Sequence, residues 1–138
     1  MERARAKPVV CVVAGALYDR NGRVLIAERP PGKHMAGRWE FPGGKVAQGE
    51  SEEQALAREL REELGVEVTE SRPLMRLSHE YEDRVVELSM WVVRQFSGEA
   101  RGLDGQGLKW VPPARLTDED LLEADLPLVL ALQKLPDP

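Results

Sequence analysis

The sequence predicts an α/β sandwich. Apolar, valine-rich runs separated by turn residues fill the first third of the chain and much of the second half. One strongly specified amphipathic helix lies between these runs, and a second apolar helix closes the chain. Strands interrupted by one helix and ended by another pack as helices on a sheet.

The elements follow in order. Val9 to Leu17 is apolar and rich in valine, a buried strand. Asp19-Arg20-Asn21-Gly22 is a turn with the Asn-Gly hairpin signal, and Arg23 to Ala27 reads as the returning strand. Arg29 to Arg38 holds two prolines and two glycines and is a loop. Trp39-Glu40-Phe41 is a short strand, and Pro42-Gly43-Gly44 a tight turn. The first helix starts just after Ser51, because Ser51-Glu52-Glu53-Gln54 is a capping box. Ala55, Leu56, Leu60 and Leu64 give it an apolar stripe, and Gly65 supplies a left-handed end. Val66 to Val68 starts another extended piece. Leu74 to Tyr81 and Arg84 to Val93 pair around Glu82-Asp83. Gly98 to Gly107, with four glycines, is a loop. Leu108 to Val111 is a short strand stopped by Pro112-Pro113, and Thr117 to Leu121 is a helical turn. Leu126 to Leu135 is the C-terminal helix, with Pro127 in its first turn and Asp125 as its N-cap. Trp39 and Trp91 read as packing residues, and His79 belongs to no motif.

At 138 residues the chain is expected to be a single domain, residues 1–138. Its net charge of −5 argues against wrapping polymeric nucleic acid. Small nucleotides stay open, since a bound cation inverts the local field. The one cysteine, Cys11, sits in an apolar run and is expected to be a small buried hydrophobe. Arg3, Arg5 and Lys7 before Val9 imitate a short signal peptide, but a strand leading into a turn explains the run better. No segment has the ~20 apolar residues needed to span a bilayer. The expectation is a cytoplasmic protein without a membrane partner, as a monomer or homodimer.

The segment from Gly44 to Val66 carries the chemistry. Five residues separate Gly44 from Glu50, and seven separate Glu50 from Arg58. Arg58-Glu59-Leu60-Arg61-Glu62-Glu63-Leu64-Gly65-Val66 follows. Glu59, Glu62 and Glu63 stand at i, i+3 and i+4 and share a helix face. Alone, such a triplet is an ordinary solvated face. Three clustered carboxylates also repel one another, and a hard dication relieves that. Mg²⁺ fits oxygen ligands and phosphate best, with Mn²⁺ a second candidate.

The whole pattern, G-x5-E-x7-R-E-U-x-E-E-x-G-U with U aliphatic, resembles the signature of the Nudix hydrolases without departure. The resemblance implies an α-β-α sandwich with a mixed β-sheet. It implies that the Gly43 carbonyl, Glu62 and Glu63 hold the metal, and that Glu59 is a ligand or the base that takes a proton from water. Arg58 orients a glutamate through a bidentate pair, with Glu50 its expected partner.

Separated segments further resemble the MutT subfamily, the oxidised-guanine nucleotide diphosphatases. These are Arg29, His34-Met35-Ala36, Glu40-Phe41-Pro42-Gly43-Gly44-Lys45, Asp83-Arg84, Gly105-Gln106, Trp110 and Ala124-Asp125-Leu126-Pro127. The resemblance implies hydrolysis of 8-oxo-dGTP to 8-oxo-dGMP and pyrophosphate, by attack on the β-phosphorus. It places Arg29, His34, Glu40, Phe41, Pro42 and Gly43 in the substrate-binding set. Phe41 would lie against base or ribose, and Arg84 would close the base pocket. Asp104 stands where such proteins carry a glutamate near the metals. Asp125 stands where they carry a base-reading asparagine. An ionised carboxylate only accepts hydrogen bonds, whereas an amide also donates. The same segment resembles the pyrimidine-nucleotide pyrophosphohydrolases that prefer cytidine substrates, so the base stays open between 8-oxoguanine and cytosine. The competing class is a non-catalytic Nudix binding module; such modules generally lose signature glutamates, and here all are present.

Overall fold

The computed structural model describes residues 7–135, so Arg3 and Arg5 lie outside the described residues. Among the described residues, seven strands form two sheets. β1 (Val9–Leu17), β4 (Gly43–Lys45), β5 (Glu67–Glu80) and β6 (Val85–Ser97) make the larger one, in the order β4-β1-β6-β5. β2 (Val24–Glu28), β3 (Trp39–Glu40) and β7 (Leu108–Val111) make the smaller, in the order β3-β2-β7. β1 and β6 run parallel and the other pairs antiparallel, so the larger sheet is mixed.

The period-two alternation of β1 explains the layering. Val13 and Leu17 face helix α1 (Glu52–Leu64) and pack with its Ala55, Leu56, Leu60 and Leu64. Ala14 and Ala16 face the other way, toward Leu128, Val129 and Leu132 of helix α2 (Leu126–Gln133). The result is an α-β-α sandwich. Each fully buried leucine of α1 contributes roughly 2 kcal/mol of apolar burial. Ser51 and Gln54 close the capping box, and Gly65 ends α1 at φ 73°. No helix among the described residues is long and apolar enough to cross a membrane.

The structure corrects several sequence expectations. Pro42-Gly43-Gly44 is not a tight turn: Gly43 and Gly44 enter β4, opposite Ala14 and Val13. β2 does not return along β1. It meets β1 at the Tyr18–Val24 bridge and otherwise joins the second sheet, because β6 and β4 occupy the edges of β1. The piece beginning at Val66 and the strand ending at Tyr81 merge into the 14-residue β5. Pro73 is tolerated there because β5 is an edge strand whose register shifts beside it. The helical turn expected at Thr117 to Leu121 is a 3-10 helix at Pro113–Asp118. Cys11 is exposed, since burial of β1 begins only at Val13. Asp125 precedes α2 but makes no side-chain cap bond.

β4 can approach β1 only because Gly43 has no side chain; a methyl group there would run into the Val13 carbonyl and the Ala14 Cα. Backbone cannot step aside as a side-chain tip can. Gly43→Ala is therefore expected to cost about 1–3 kcal/mol in urea denaturation. An unchanged midpoint would mean that β4 is not seated on β1.

Candidate active site

α1 and β4 build one end of a cavity of about 780 Å³, within the range of small-ligand sites. Gly44 lies so close to Glu59 that any Cβ would overlap its carboxylate. Arg58 holds that carboxylate through Nη1, which donates to Glu59 Oε1 at 2.9 Å. The same guanidinium makes a two-point pair with Glu50, Nε to Oε2 at 2.7 Å and Nη2 to Oε1 at 2.9 Å. Nη2 also donates to the Lys45 carbonyl at 3.0 Å, so Arg58 ties the loop after β4 to α1. Arg58, together with the Ala47 N–H, holds the Glu50 carboxyl down to about 2. Glu62 is different. Its side chain is 59% exposed, its contact with Arg58 is 3.4 Å, and it does not line the cavity.

Glu63 is the unsettled charge. Burial, then Glu59, then Glu40 push its carboxyl up, and Asp104 adds to them, while the Gly43 N–H opposes; the outcome is about 8. Without a cation, the folded protein holds a proton on Glu63 at neutral pH. Asp104 is brought there by the loop at residues 98–107, which docks on the end of α1. Arg101 N–H donates to the Leu64 carbonyl at 2.9 Å and Leu103 N–H to the Glu63 carbonyl at 3.1 Å. These bonds satisfy carbonyls that a helix end leaves open.

Arg29, Glu40, Phe41 and Asp125 form the other end. Arg29 Nη1 donates to both Glu40 oxygens, at 3.0 and 3.2 Å, and its Nε donates to the His34 carbonyl at 2.6 Å. Asp125 is 7% exposed and Phe41 4%. The Phe41 N–H donates to Asp125 Oδ2 at 3.2 Å. Burial pushes Asp125 up to about 7, with Glu40 adding to the rise and the Phe41 N–H and Arg29 opposing it. Burial also raises Glu40, against the pull of Arg29 and Lys33. Glu40 acts on both Glu63 and Asp125, so it stands between the two ends.

Arg29, Glu40, Phe41, Pro42, Gly43, Glu59, Glu63, Asp104 and Asp125 thus share one cavity. Four residues singled out from sequence do not line it. Glu62 and Arg58 lie behind Glu59; Arg58 is a support, with its donors spent on Glu50, Glu59 and Lys45. The His34 side chain is exposed, and only its carbonyl is engaged. Arg84 sits on the exposed tip between β5 and β6, 5.4 Å from the Tyr81 ring centroid. Sequence reasoning gave no role to Glu28, Lys33, Val86, Leu88 or Gln106, which also line the cavity. Only Gln106, two residues past Asp104 in the glycine-rich loop, carried a local signal.

A dication fits this donor set on physical grounds. Burial and then crowding keep a proton on Glu63, and a cation that displaces it relieves both. Among the described residues, no three His, Cys, Asp or Glu side chains already form a set that could hold a metal ion. Mg²⁺ usually takes one or two carboxylates and completes its shell with water and phosphate oxygens. Glu59, Glu63, the Gly43 carbonyl and Asp104 are the groups in reach of such a site.

The chain resembles known proteins along most of its length. The NUDIX domain family matches residues 13–131. The chain is 41% identical to a CTP pyrophosphohydrolase of Escherichia coli K12 over 123 residues, 89% of this chain and 91% of that one. It is 35% identical to an 8-oxo-dGTP diphosphatase of the same organism over 124 residues, 90% and 96% of the two chains. A solved MutT structure, from a study of Aliivibrio salmonicida and Vibrio cholerae, superimposes with a TM-score of 0.81 at 35% identity, covering 92% of this chain and 99% of the other. An unbroken catalytic signature, a carboxylate-lined cavity and relatives matched over nearly their whole length lead to one assignment: this chain belongs to the Nudix family, as a hydrolase of the MutT type.

Proposed function

We propose that the chain hydrolyses 8-oxo-dGTP to 8-oxo-dGMP and pyrophosphate with Mg²⁺, clearing oxidised nucleotide from the cytoplasmic pool before replication uses it. The observation that carries this reading is the buried Asp125 at the end of the cavity opposite the glutamates. With a pKa of about 7 it is substantially protonated near neutrality. A protonated carboxyl presents one donor and one acceptor side by side. 8-Oxoguanine offers the complement, O6 as acceptor beside N7–H as donor. Guanine offers two acceptors on that edge, and the carboxyl satisfies only one.

A second reading has its own support. Cytosine also offers a donor–acceptor pair, N4–H beside N3, and the relative at 41% identity is named a CTP pyrophosphohydrolase. A CTP or modified dCTP pyrophosphohydrolase is therefore the alternative.

The chain's own residues divide the work. Glu59, Glu63, the Gly43 carbonyl and Asp104 would hold the cation, and Glu62 would add its negative charge from outside the cavity. Mg²⁺ bound there neutralises phosphate oxygens and lowers the cost of attack on phosphorus. Water attacks the β-phosphorus, the bond to the α–β bridging oxygen breaks, and a carboxylate takes the water proton. Glu59 is one candidate for that base, since Arg58 fixes its orientation. Arg29 and Glu40 frame the nucleotide, Phe41 lies against its base or ribose, and Lys33 faces the substrate from the loop.

The deciding experiment compares kcat/KM for 8-oxo-dGTP, dGTP, CTP and 5-methyl-dCTP with Mg²⁺, with products separated by chromatography. Preference for 8-oxo-dGTP with pyrophosphate release supports the first reading, and preference for the cytidine substrates replaces it with the second. Replacing Glu62 and Glu63 together by glutamine is expected to lower kcat by at least on the order of 10²-fold. Surviving turnover would remove the metal assignment. Burial makes Glu63→Gln alone the more damaging of the two single changes.

Asp125 also sets a pH dependence of stability. Its folded pKa, about 7, lies above the ordinary 3.8, so the folded chain keeps a proton that the unfolded chain has lost. The stabilisation is complete below 3.8 and is lost as pH rises to about 7. Asp125→Asn keeps an oxygen for the Phe41 N–H and removes that slope. Urea titrations should show the variant gaining on the parent across this window by up to about 4 kcal/mol. A pH-independent gap would mean that the carboxyl ionises normally.

A further inference from the structure

The glycine-rich loop poses a question that the signature does not answer. Asp104 reaches the carboxylate end from an exposed loop, and among the described residues no hydrogen bond fixes its carboxylate. Its placement therefore depends on its backbone, and one side chain holds that backbone. Gln106 Oε1 accepts the Asp104 N–H at 2.8 Å, and Gln106 Nε2 donates to the Glu63 carbonyl at 3.2 Å. One amide thus spans the peptide of Asp104 and the helix residue whose carboxyl lies in the same cavity. The loop is tight around it, because a methyl at Gly102 would run into the Gln106 carbonyl.

Helix capping alone does not explain this arrangement. Leu103 N–H already donates to the Glu63 carbonyl at 3.1 Å, and Arg101 N–H to that of Leu64 at 2.9 Å. With those bonds in place, the Gln106 donor is a second bond to a satisfied carbonyl. What Gln106 adds is the bond to the Asp104 amide, which no other described group makes.

We propose that Gln106 is a positioning residue: its side-chain amide latches Asp104 against the end of α1, and divalent-cation affinity depends on it through Asp104. The inference rests on reading that end of the cavity as a cation site. Loss of a partner that orients a metal ligand typically costs 10–100-fold in metal affinity or activity.

The test uses the full chain without nucleotide and Mn²⁺ as the probe, with free Mn²⁺ read by electron paramagnetic resonance. Gln106→Met is expected to weaken Mn²⁺ binding on the order of 10-fold, and Asp104→Asn to do the same. The double variant should bind no worse than Asp104→Asn alone, because the two act as one unit. Hydrogen exchange gives a second readout. In Gln106→Met the Asp104 amide should exchange faster while the Leu103 amide, bonded to Glu63 independently, keeps its protection. Fully additive losses, an unaffected Gln106→Met, or equal loss of protection at Leu103 would each overturn the proposal. Glu63→Gln separates the two levels: if it leaves Mn²⁺ affinity unchanged, the cation reading itself fails and takes the proposal with it. If Glu63→Gln weakens binding while Gln106→Met does not, only the proposal fails.

Discussion

The carboxylate end of the cavity is arranged around one unfavourable gathering of charge. Glu59, Glu63, Glu40 and Asp104 are gathered near the end of α1, and burial first, then the neighbouring charges, keep a proton on Glu63. Arg58 keeps the arrangement from relaxing outward. Its guanidinium bonds at once to the loop carboxylate of Glu50, to the Lys45 carbonyl and to Glu59 itself. Because those partners flank β4, the guanidinium fixes α1 against β4 as well as a carboxylate against its neighbours. Gly44 must then be bare, since the space a Cβ needs is filled by Glu59. Gly43 must be bare for a different reason, the approach of β4 to β1. Two adjacent glycines thus serve opposite neighbours, one the sheet and one the helix.

The parts legible in sequence were those that short stretches of chain determine. α1 could be read to within a residue, because Ser51 and Gln54 cap each other and Gly65 ends the helix, all within a few residues of the positions they control. The Arg58–Glu50 pair was legible through the resemblance of the signature, whose loop and helix are close in the chain. What was not legible depends on partners far away. Pro42-Gly43-Gly44 looks like a turn until β1 lies beside it. Val9 to Val12 looks like core until one sees that burial starts at Val13, which is why Cys11 is exposed. Asn21-Gly22 reads as a hairpin, but both edges of β1 are taken, so β2 pairs elsewhere. Asp125 has the composition of an N-cap, yet the Phe41 N–H, 84 residues away in sequence, takes its carboxylate.

The same limit applies to the site. The signature named the glutamates but not their inequality. Glu63 is half-buried and Glu62 is exposed, a difference that comes from which side of α1 meets β4. Lys33 and Glu28 face the cavity without any pattern around them, because a loop and a strand end reach it only in the folded chain. Gln106 lies between these cases. Its spacing from Asp104 is visible, but its use of both ends of an amide requires knowing that Glu63 is there.

The two ends of the cavity share a physical principle. Each holds a carboxyl whose charge the surroundings do not support, the half-buried Glu63 at about 8 and the buried Asp125 at about 7. A fold selected for stability alone would carry neither, since an amide or an apolar group would relieve both. Glu40 links them, because its negative charge raises both. Asparagine in place of Asp125 would take that end out of the repulsion and still offer an oxygen to the Phe41 N–H.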